Sequence, residues 1–235
     1  MAFIDLRKAF DFTPRNGILF QLASVGISRK MFTLLRSMFI GSSFSVRINP
    51  KRITSSTPST SGIFQGCVWS PLLFVLFMDA INRVLSDVDS HSPKLMGRVA
   101  RHLLWADDLL LLFKTVLGLQ RLPDALHSFC QYWGLEVNTA KTNVLVVKKG
   151  IKLAREERWF YDGEKLEVAS VARYLGIYFS HNGAWTAHKK MAIEKARKGL
   201  TRLTAFFYKH PNLPTEFYKR LYMATIDPII LYGSE

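Results

Sequence analysis

The sequence predicts an α+β protein, and three observations predict it. In Leu103-Leu104-Trp105-Ala106-Asp107-Asp108-Leu109-Leu110-Leu111-Leu112-Phe113, two apolar runs of strand length flank an Asp pair. That is the layout of a β-hairpin with Ala106-Asp107-Asp108 at or beside its turn. Apolar residues recur at helical spacing between 18 and 39 and again between 116 and 133. From about Ala184 strand signals stop and only helical patterns remain.

In chain order, Ala2-Phe3-Ile4-Asp5-Leu6 reads as a short strand interrupted by Asp5. Ile18, Leu19, Leu22 and Val25 form a helical stripe that starts near Pro14 and stops at Gly26. A second stripe carries Phe32, Leu35, Met38 and Phe39, with Ser28 placed to cap it and Gly41 to end it. Phe44 to Ile48 alternates as a strand does, and Asn49 to Ser61, with Lys51 and Arg52, reads as a basic connecting loop. Gln65-Gly66 lies in the loop before Ser70-Pro71, a strong helix start with Ser70 as its cap. That helix runs to about Ser86 and is apolar on nearly every side, which predicts burial. Asp87 to Arg98 reads as a polar loop. A helix over Val116–Trp133 closes at Gly134, and an apolar strand follows at Val144 to Val147. Asp162-Gly163 is a hairpin signal, and Tyr174 to Phe179 reads as one strand.

The 235 residues are 49% hydrophobic, enough for a real core, and carry a formal net charge of +14. A basic folded protein of this kind suits a polyanionic partner. Lys189, Lys190, Lys195, Arg197, Lys198, Arg202 and Lys209 face Glu194 alone. A solvated helix face is the plain reading of that run, and a phosphate-tracking surface fits its one-sidedness better. Cys67 and Cys130 argue for neither a disulfide framework nor a zinc site, and they suit a reducing, intracellular compartment. Nucleus and cytoplasm are equally compatible with this. No run reaches about 18 uninterrupted apolar residues, so no membrane span is predicted.

A solvated turn is the ordinary reading of an Asp pair. The apolar flanks of Asp107 and Asp108 argue otherwise, because burial raises the cost of charging adjacent carboxylates, and a bound cation offsets that cost. A cation cage needs a third carboxylate from elsewhere in the chain.

The order of these pieces resembles the reverse transcriptase of non-LTR (LINE-type) retrotransposons, from the palm into the thumb. Phe3-Ile4-Asp5-Leu6-Arg7-Lys8-Ala9-Phe10-Asp11 is similar to that family's motif A, and Gln65-Gly66 through Ser70-Pro71-Leu72-Leu73-Phe74 to motif B. Trp105-Ala106-Asp107-Asp108 is similar to motif C. Gly134-Leu135 with Asn138, Lys141 and Thr142 is similar to motif D, and Tyr174-Leu175-Gly176 to motif E, the primer grip. Tyr232-Gly233-Ser234-Glu235 is similar to a run just past the thumb.

The resemblance implies a right-hand polymerase palm, an antiparallel sheet backed by helices, over 1–180, and a helical thumb-like segment over 181–235. It implies RNA-directed DNA polymerase activity on an RNA template, a DNA primer and deoxynucleoside triphosphates. Asp5 becomes the third carboxylate, and Asp5 and Asp107 are implied ligands of two Mg²⁺ ions roughly 3.5–4 Å apart, with Mn²⁺ as an alternative ion. Asp108 supports the cluster, and the backbone carbonyl of Leu6 is a further implied ligand. Phe10 falls at the steric gate against a ribose 2′-OH, and Gln65 and Gly66 fall under the incoming nucleotide and template. Lys141 is the implied general acid or charge stabiliser for pyrophosphate. Lys189, Lys190, Lys195, Arg197, Lys198 and Arg202 are implied nucleic-acid contacts.

Departures from the pattern are Trp105, where Tyr or Phe is usual, and Cys67-Val68-Trp69 before Ser70. The family's fingers and endonuclease regions have no counterpart in this sequence, which is expected to polymerise poorly by itself. Two other readings share these residues: a non-catalytic remnant that binds nucleic acid without polymerising, and a group II intron-type or telomerase-like polymerase.

Overall fold

The computed structural model describes residues 1–50, 52–89, 91–148 and 158–234. Lys51 of the basic loop and Glu235 of the terminal run lie outside them. The chain opens with β1 (Ala2–Ile4), α1 (Ala9–Phe12), α2 (Arg15–Ser24) and α3 (Arg29–Phe39). Four short strands follow, β2 (Ser43–Phe44), β3 (Arg47–Asn49), β4 (Arg52–Ile53) and β5 (Thr57–Pro58). Next come α4 (Ser70–Met78), α5 (Ala80–Ser86), the small hairpin β6 (Lys94–Leu95) and β7 (Arg98–Val99), and the hairpin β8 (His102–Trp105) and β9 (Asp108–Leu111). Helix α6 (Val116–Trp133) leads to β10 (Asn143–Val144), β11 (Phe160–Tyr161), β12 (Glu164–Lys165) and β13 (Glu167–Val168). The end of the chain holds β14 (Val171–Tyr174), β15 (Ile177–Ser180), α7 (Thr186–Lys209), α8 (Thr215–Thr225) and α9 (Asp227–Leu231).

The chain divides into two compact units. Of the described residues, the first holds 1–144 and 158–168, and the second 145–148 and 169–234. The division falls before the β14–β15 hairpin, upstream of the boundary drawn at 180 from sequence.

In the first unit five strands pair in the order β13-β10-β1-β9-β8. Every pairing is antiparallel except β10 with β13. β1 is central, which explains why Ala2, Phe3 and Ile4 are all buried rather than alternating. β9 is also interior, and Leu109, Leu110 and Leu111 are buried. β8 is the edge strand and alternates, leaving Leu103 and Trp105 exposed. The expectation that both flanks of the Asp pair are buried therefore holds for β9 and fails for β8.

Helices pack through large apolar side chains, each worth about 1.5–3 kcal/mol when fully buried. Phe77 of α4 meets Phe129 and Trp133 of α6 at ring-centroid distances of 6.2 and 5.6 Å. Gly17 of α2 makes room for both elements, since a Cβ there would lie 2.7 Å from Phe77 and 2.8 Å from Trp133. Helix α6 begins where sequence predicts, with the Thr115 hydroxyl accepting from the Gly118 N–H at 3.0 Å, and it ends at Gly134 with φ 69°.

Elsewhere the structure corrects the sequence reading. The 70–86 helix breaks at Asp79 into α4 and α5. Ser70 is its first residue, not its cap, and the Ser70 hydroxyl donates to Phe64 O at 2.6 Å. One side of α4 is open, with Leu72 and Val75 more than half exposed. The loop 49–61 pairs back on 43–49 as a ribbon, β2 with β5 and β3 with β4. The strand read at Val144 to Val147 is confined to Asn143–Val144. The polar loop 87–98 contains the β6–β7 hairpin.

In the second unit, Tyr174 to Phe179 is a hairpin and not one strand. β14 pairs with β15 through a two-residue turn, Leu175 (φ 46°) and Gly176 (φ 84°). The three helices pack on Ala196, Leu203 and Ile226. No helix among the described residues is long and apolar enough to cross a membrane.

Candidate active site

The site begins with the turn of the β8–β9 hairpin. Trp105 pairs with Asp108, so Ala106 and Asp107 are the two turn residues. Ala106 has φ 54°, a position where Gly is preferred and a Cβ costs about 1–2 kcal/mol. Asp107 and Asp108 are both exposed. The desolvation argument for a cation between buried carboxylates therefore does not hold, and register carries the case instead.

β1 runs antiparallel to β9 with Ile4 opposite Leu109. One step further along the same register, Asp5 falls opposite Asp108. Residues directly opposite in an antiparallel pair share a face. The end of β1 and the start of β9 thus lie side by side in the middle of the sheet, although they are far apart in sequence.

Asp5 is held there by its backbone. The Asn138 N–H donates to Asp5 O at 2.7 Å, and the Asp5 N–H donates to the Thr142 hydroxyl at 3.2 Å. The Arg7 N–H donates to Glu136 O at 2.8 Å, and Leu6 forms an antiparallel bridge with Val137. The bonds flank the Leu6–Val137 pair, so those two residues exchange none. The Leu6 carbonyl is accordingly directed away from Val137, free of that ladder. Lys141 lies on the same loop, exposed, next to buried Thr142.

The segments carrying Phe10 and Gln65 are joined directly. The Ile63 N–H donates to Phe10 O at 2.9 Å, and the Gly62 N–H to Thr13 O at 3.1 Å. Gln65 Nε2 donates to Asp11 Oδ1 at 3.2 Å. The Phe10 ring stacks on Phe74 with centroids 4.3 Å apart and planes 20° off parallel. Gly66 has φ 87° with open space where a Cβ would stand. A side chain there would be strained, and the opening admits another molecule's approach.

Two positions were missed from sequence. Asp11 was seen only as part of a motif, and no spacing marks it as the partner of Gln65. Arg15 is buried, and burial lowers its pKa. It donates to Gly62 O, Phe39 O, the Ser42 hydroxyl, Ser59 O and the Ser59 hydroxyl. Its guanidinium also sits 5.3 and 5.2 Å from the Phe39 and Phe64 ring centroids.

Carboxylate oxygens are the donors Mg²⁺ prefers, and Mg²⁺ is commonly held by one or two carboxylates plus substrate phosphates. The chemistry of Asp5, Asp107 and Asp108 fits that ion. A preassembled cage does not form: among the described residues no three or more His, Cys, Asp or Glu side chains gather closely enough to hold a metal. Asp107 is carried outward on the turn while Asp5 ends a central strand.

The Tyr174-Leu175-Gly176 turn and the basic helix belong to the second unit. The Tyr232 hydroxyl donates to Leu175 O at 2.5 Å, and a Cβ at Gly176 would lie 3.0 Å from the Tyr232 ring. His188 accepts from the Tyr178 N–H through Nδ1 at 3.4 Å and meets Tyr232 O through Nε2 at 3.0 Å. Lys189, Lys190, Lys195, Arg197, Lys198 and Arg202 are all exposed on α7. At about 100° per residue, Lys190, Arg197, Lys198, Arg202 and Lys209 fall opposite buried Ala196 and Leu203.

Comparison with known proteins bears on the family and the fold. Residues 1–179 match the family described as reverse transcriptase (RNA-dependent DNA polymerase). A probable RNA-directed DNA polymerase from transposon BS of Drosophila melanogaster is 26% identical over 98% of this chain and 25% of its own length. The retrovirus-related Pol polyprotein from the type-2 retrotransposable element R2DM, also of Drosophila melanogaster, is 30% identical over 78% of this chain and 18% of its own length. This chain therefore spans about a quarter or less of those relatives. Telomerase of Candida tropicalis superimposes with a TM-score of 0.52 at 13% identity, over 76% of this chain and 33% of that one. Telomerase of Candida albicans, in complex with a fragment of telomeric RNA, gives 0.53 at 11% identity, over 84% and 34%. These two likenesses establish a right-hand polymerase fold. With 179 consecutive residues matched and the fold independently recovered, this chain belongs to the reverse transcriptase (RNA-dependent DNA polymerase) family.

Proposed function

We propose that the chain carries the catalytic centre of an RNA-directed DNA polymerase of a retrotransposon, adding deoxynucleotides to a primer 3′-OH on an RNA template. The observation that supports this reading is the pairing of Ile4 with Leu109, which Asp5 follows on one strand and Asp108 precedes on the other. Asp5, Asp107 and Asp108, with the Leu6 carbonyl, would hold two Mg²⁺ ions together with the substrate triphosphate. Such ions lower the pKa of an attacking hydroxyl and neutralise charge on the leaving group.

The chain's own residues orient and select. The clasp from Asn138 and Thr142 fixes the Asp5 backbone. Phe10, backed by Phe74, would exclude a ribose 2′-OH. Gln65, steadied by Asp11, lies against the nucleotide or template. Lys141 meets charge developing on pyrophosphate. The Leu175-Gly176 turn, steadied by Tyr232, grips the primer, and the α7 cations track phosphates.

Primer extension on an RNA template with Mg²⁺ and deoxynucleotides tests this, comparing the wild type with Asp107→Asn. Extension abolished by the variant, with nucleic-acid binding retained, supports the reading. A second reading, nucleic-acid binding without polymerisation, is favoured by the absence of a gathered three-carboxylate group among the described residues. Binding without extension, both in the wild type and in a fusion that restores a fingers segment from a related element, would establish it instead.

A further inference from the structure

Leu175 and Gly176 close the β14–β15 hairpin at φ 46° and 84°. A left-handed Leu is disfavoured, and a two-stranded hairpin is marginal in water by itself. This turn therefore needs support from outside its own ladder, and two side chains distant in sequence supply it. The Tyr232 hydroxyl donates to Leu175 O at 2.5 Å across 57 residues. The Tyr178 N–H donates to His188 Nδ1 at 3.4 Å, and His188 Nε2 stands 3.0 Å from Tyr232 O. The bonds form a closed circuit, from the turn to Tyr232, from Tyr232 to His188, and from His188 back to β15.

The direction of these bonds fixes the state of His188. Nδ1 accepts, so the proton of the neutral ring is on Nε2 and is donated to Tyr232 O. One imidazole thus ties β15 on one side and the backbone of 232 on the other. An apolar side chain can do neither, and a Lys can only donate. The space is equally specified. A Cβ at Gly176 would lie 3.0 Å from the Tyr232 ring, and a Cβ at Gly233 would lie 3.2 Å from the Ile177 side chain and 3.4 Å from His188 Nε2. Yet Tyr232 is 53% exposed and no residue of α9 is buried. Directed hydrogen bonds rather than apolar burial make this contact, and such bonds set position. The cations of α7 attract phosphates wherever they lie along a strand, whereas a fixed turn can mark one point on it.

We infer that His188 and Tyr232 are positioning residues that latch the Leu175-Gly176 turn, so that the turn holds the last nucleotide of the primer at one place. This rests on the polymerase reading for the identity of the strand held. Neither side chain reacts. Tyr232 fixes the carbonyl of the turn, and His188 fixes Tyr232 and, through Tyr178, the strand that leaves the turn.

The test uses the full chain bound to a DNA primer annealed to an RNA template, with 4-thiothymidine as the last nucleotide of the primer. Irradiation and peptide fragmentation are expected to place the crosslink on 174–178. Tyr232→Phe keeps the ring against Gly176 and removes only the bond to Leu175 O. His188→Phe keeps a ring and removes both of its bonds. Each is expected to lower the crosslink yield at 174–178 about tenfold, roughly the worth of one net hydrogen bond. Total affinity for the primer–template should stay within about twofold, because the phosphate-binding cations are unchanged. His188→Gln offers an acceptor oxygen and an N–H and should restore about half of the yield or more. Unchanged crosslinking in the folded variants overturns the inference. So does a loss that runs in parallel with total affinity and helix content and is not rescued by Gln, or a wild type whose primer end crosslinks only outside 174–178. Should His188→Phe unfold, Tyr232→Phe and His188→Gln decide. Extension by the same wild type is measured separately. Its absence sinks the polymerase reading, while the crosslink still reports whether the latched turn holds a strand end.

Discussion

Thr142→Val removes one hydroxyl from the site and little else. Thr142 is 1% exposed, and its hydroxyl accepts the Asp5 N–H at 3.2 Å. Val keeps the volume, so no cavity forms, but the Asp5 N–H loses that acceptor. A buried donor left unpaired costs about 1–3 kcal/mol. Asp5 is half-buried, so water partly compensates and the lower end, about 1 kcal/mol, is expected. Thr142→Ser supplies the contrast. It keeps the hydroxyl and loses a buried methyl, also about 1 kcal/mol. The two variants should be nearly equal in urea denaturation and differ in primer extension. In the Val variant the Asp5 carboxylate is no longer fixed by both backbone groups, and a shift of about 1 Å at a reacting centre costs roughly a hundredfold in rate. The Ser variant should extend within about twofold of wild type. Equal extension by the two variants, whether high or low, would show that the clasp does not set the position of Asp5.

Other outcomes follow from single residues. Phe10→Val removes the ring stacked on Phe74. Incorporation of ribonucleotides relative to deoxynucleotides should rise roughly tenfold or more, measured with single nucleotides of each kind. Ala106→Gly relieves φ 54°. Stability should rise by up to about 1 kcal/mol after Gly's extra unfolded entropy is subtracted, while extension falls as the turn loosens around Asp107. Burial lowers the His102 pKa below 6.5, with the Arg101 charge adding to the effect. Its stabilising contribution is therefore complete above pH 6.5 and lost as pH falls, because the unfolded chain takes up the proton first. Between pH 7.5 and 5, urea midpoints should fall further for the wild type than for His102→Gln. Equal falls would place the titration elsewhere.

The Asp107-Asp108 hairpin was legible because two apolar runs of strand length bracket a short polar interval. Helix α6 was legible from its apolar stripe and Gly134, and the 160–165 hairpin from Asp162-Gly163, both of which have positive φ. What was not legible depends on partners distant in sequence. The exposure of β8 follows from its place at the edge of the sheet, which no local pattern encodes. Ser70 looks like a cap, and only the folded chain shows its hydroxyl committed to Phe64 O. Leu175 adopts φ 46°, a conformation rare for an L-residue, so an apolar run concealed a turn. No local pattern advertises the burial of Arg15, since its partners are carbonyls and hydroxyls up to 47 residues away. Asp5 could be named from its motif, but its opposition to Asp108 is a property of register.

These features divide the labour of the site between rigid and open parts. β1 lies in the middle of the sheet, paired on both sides, and its end is clasped by Asn138 and Thr142. Asp107 is instead carried on an exposed turn whose first residue departs from local preference. A strained residue persists only where its surroundings over-determine it, and here those surroundings are the flanking Trp105–Asp108 pair and the interior strand β9. A carboxylate built wholly into the sheet could not be reached by a bulky triphosphate and its ions. One built wholly on a loop would not hold its position between turnovers. On the proposed polymerase reading, Asp5 on the clasped central strand would be a fixed reference and Asp107 on the strained turn an accessible partner.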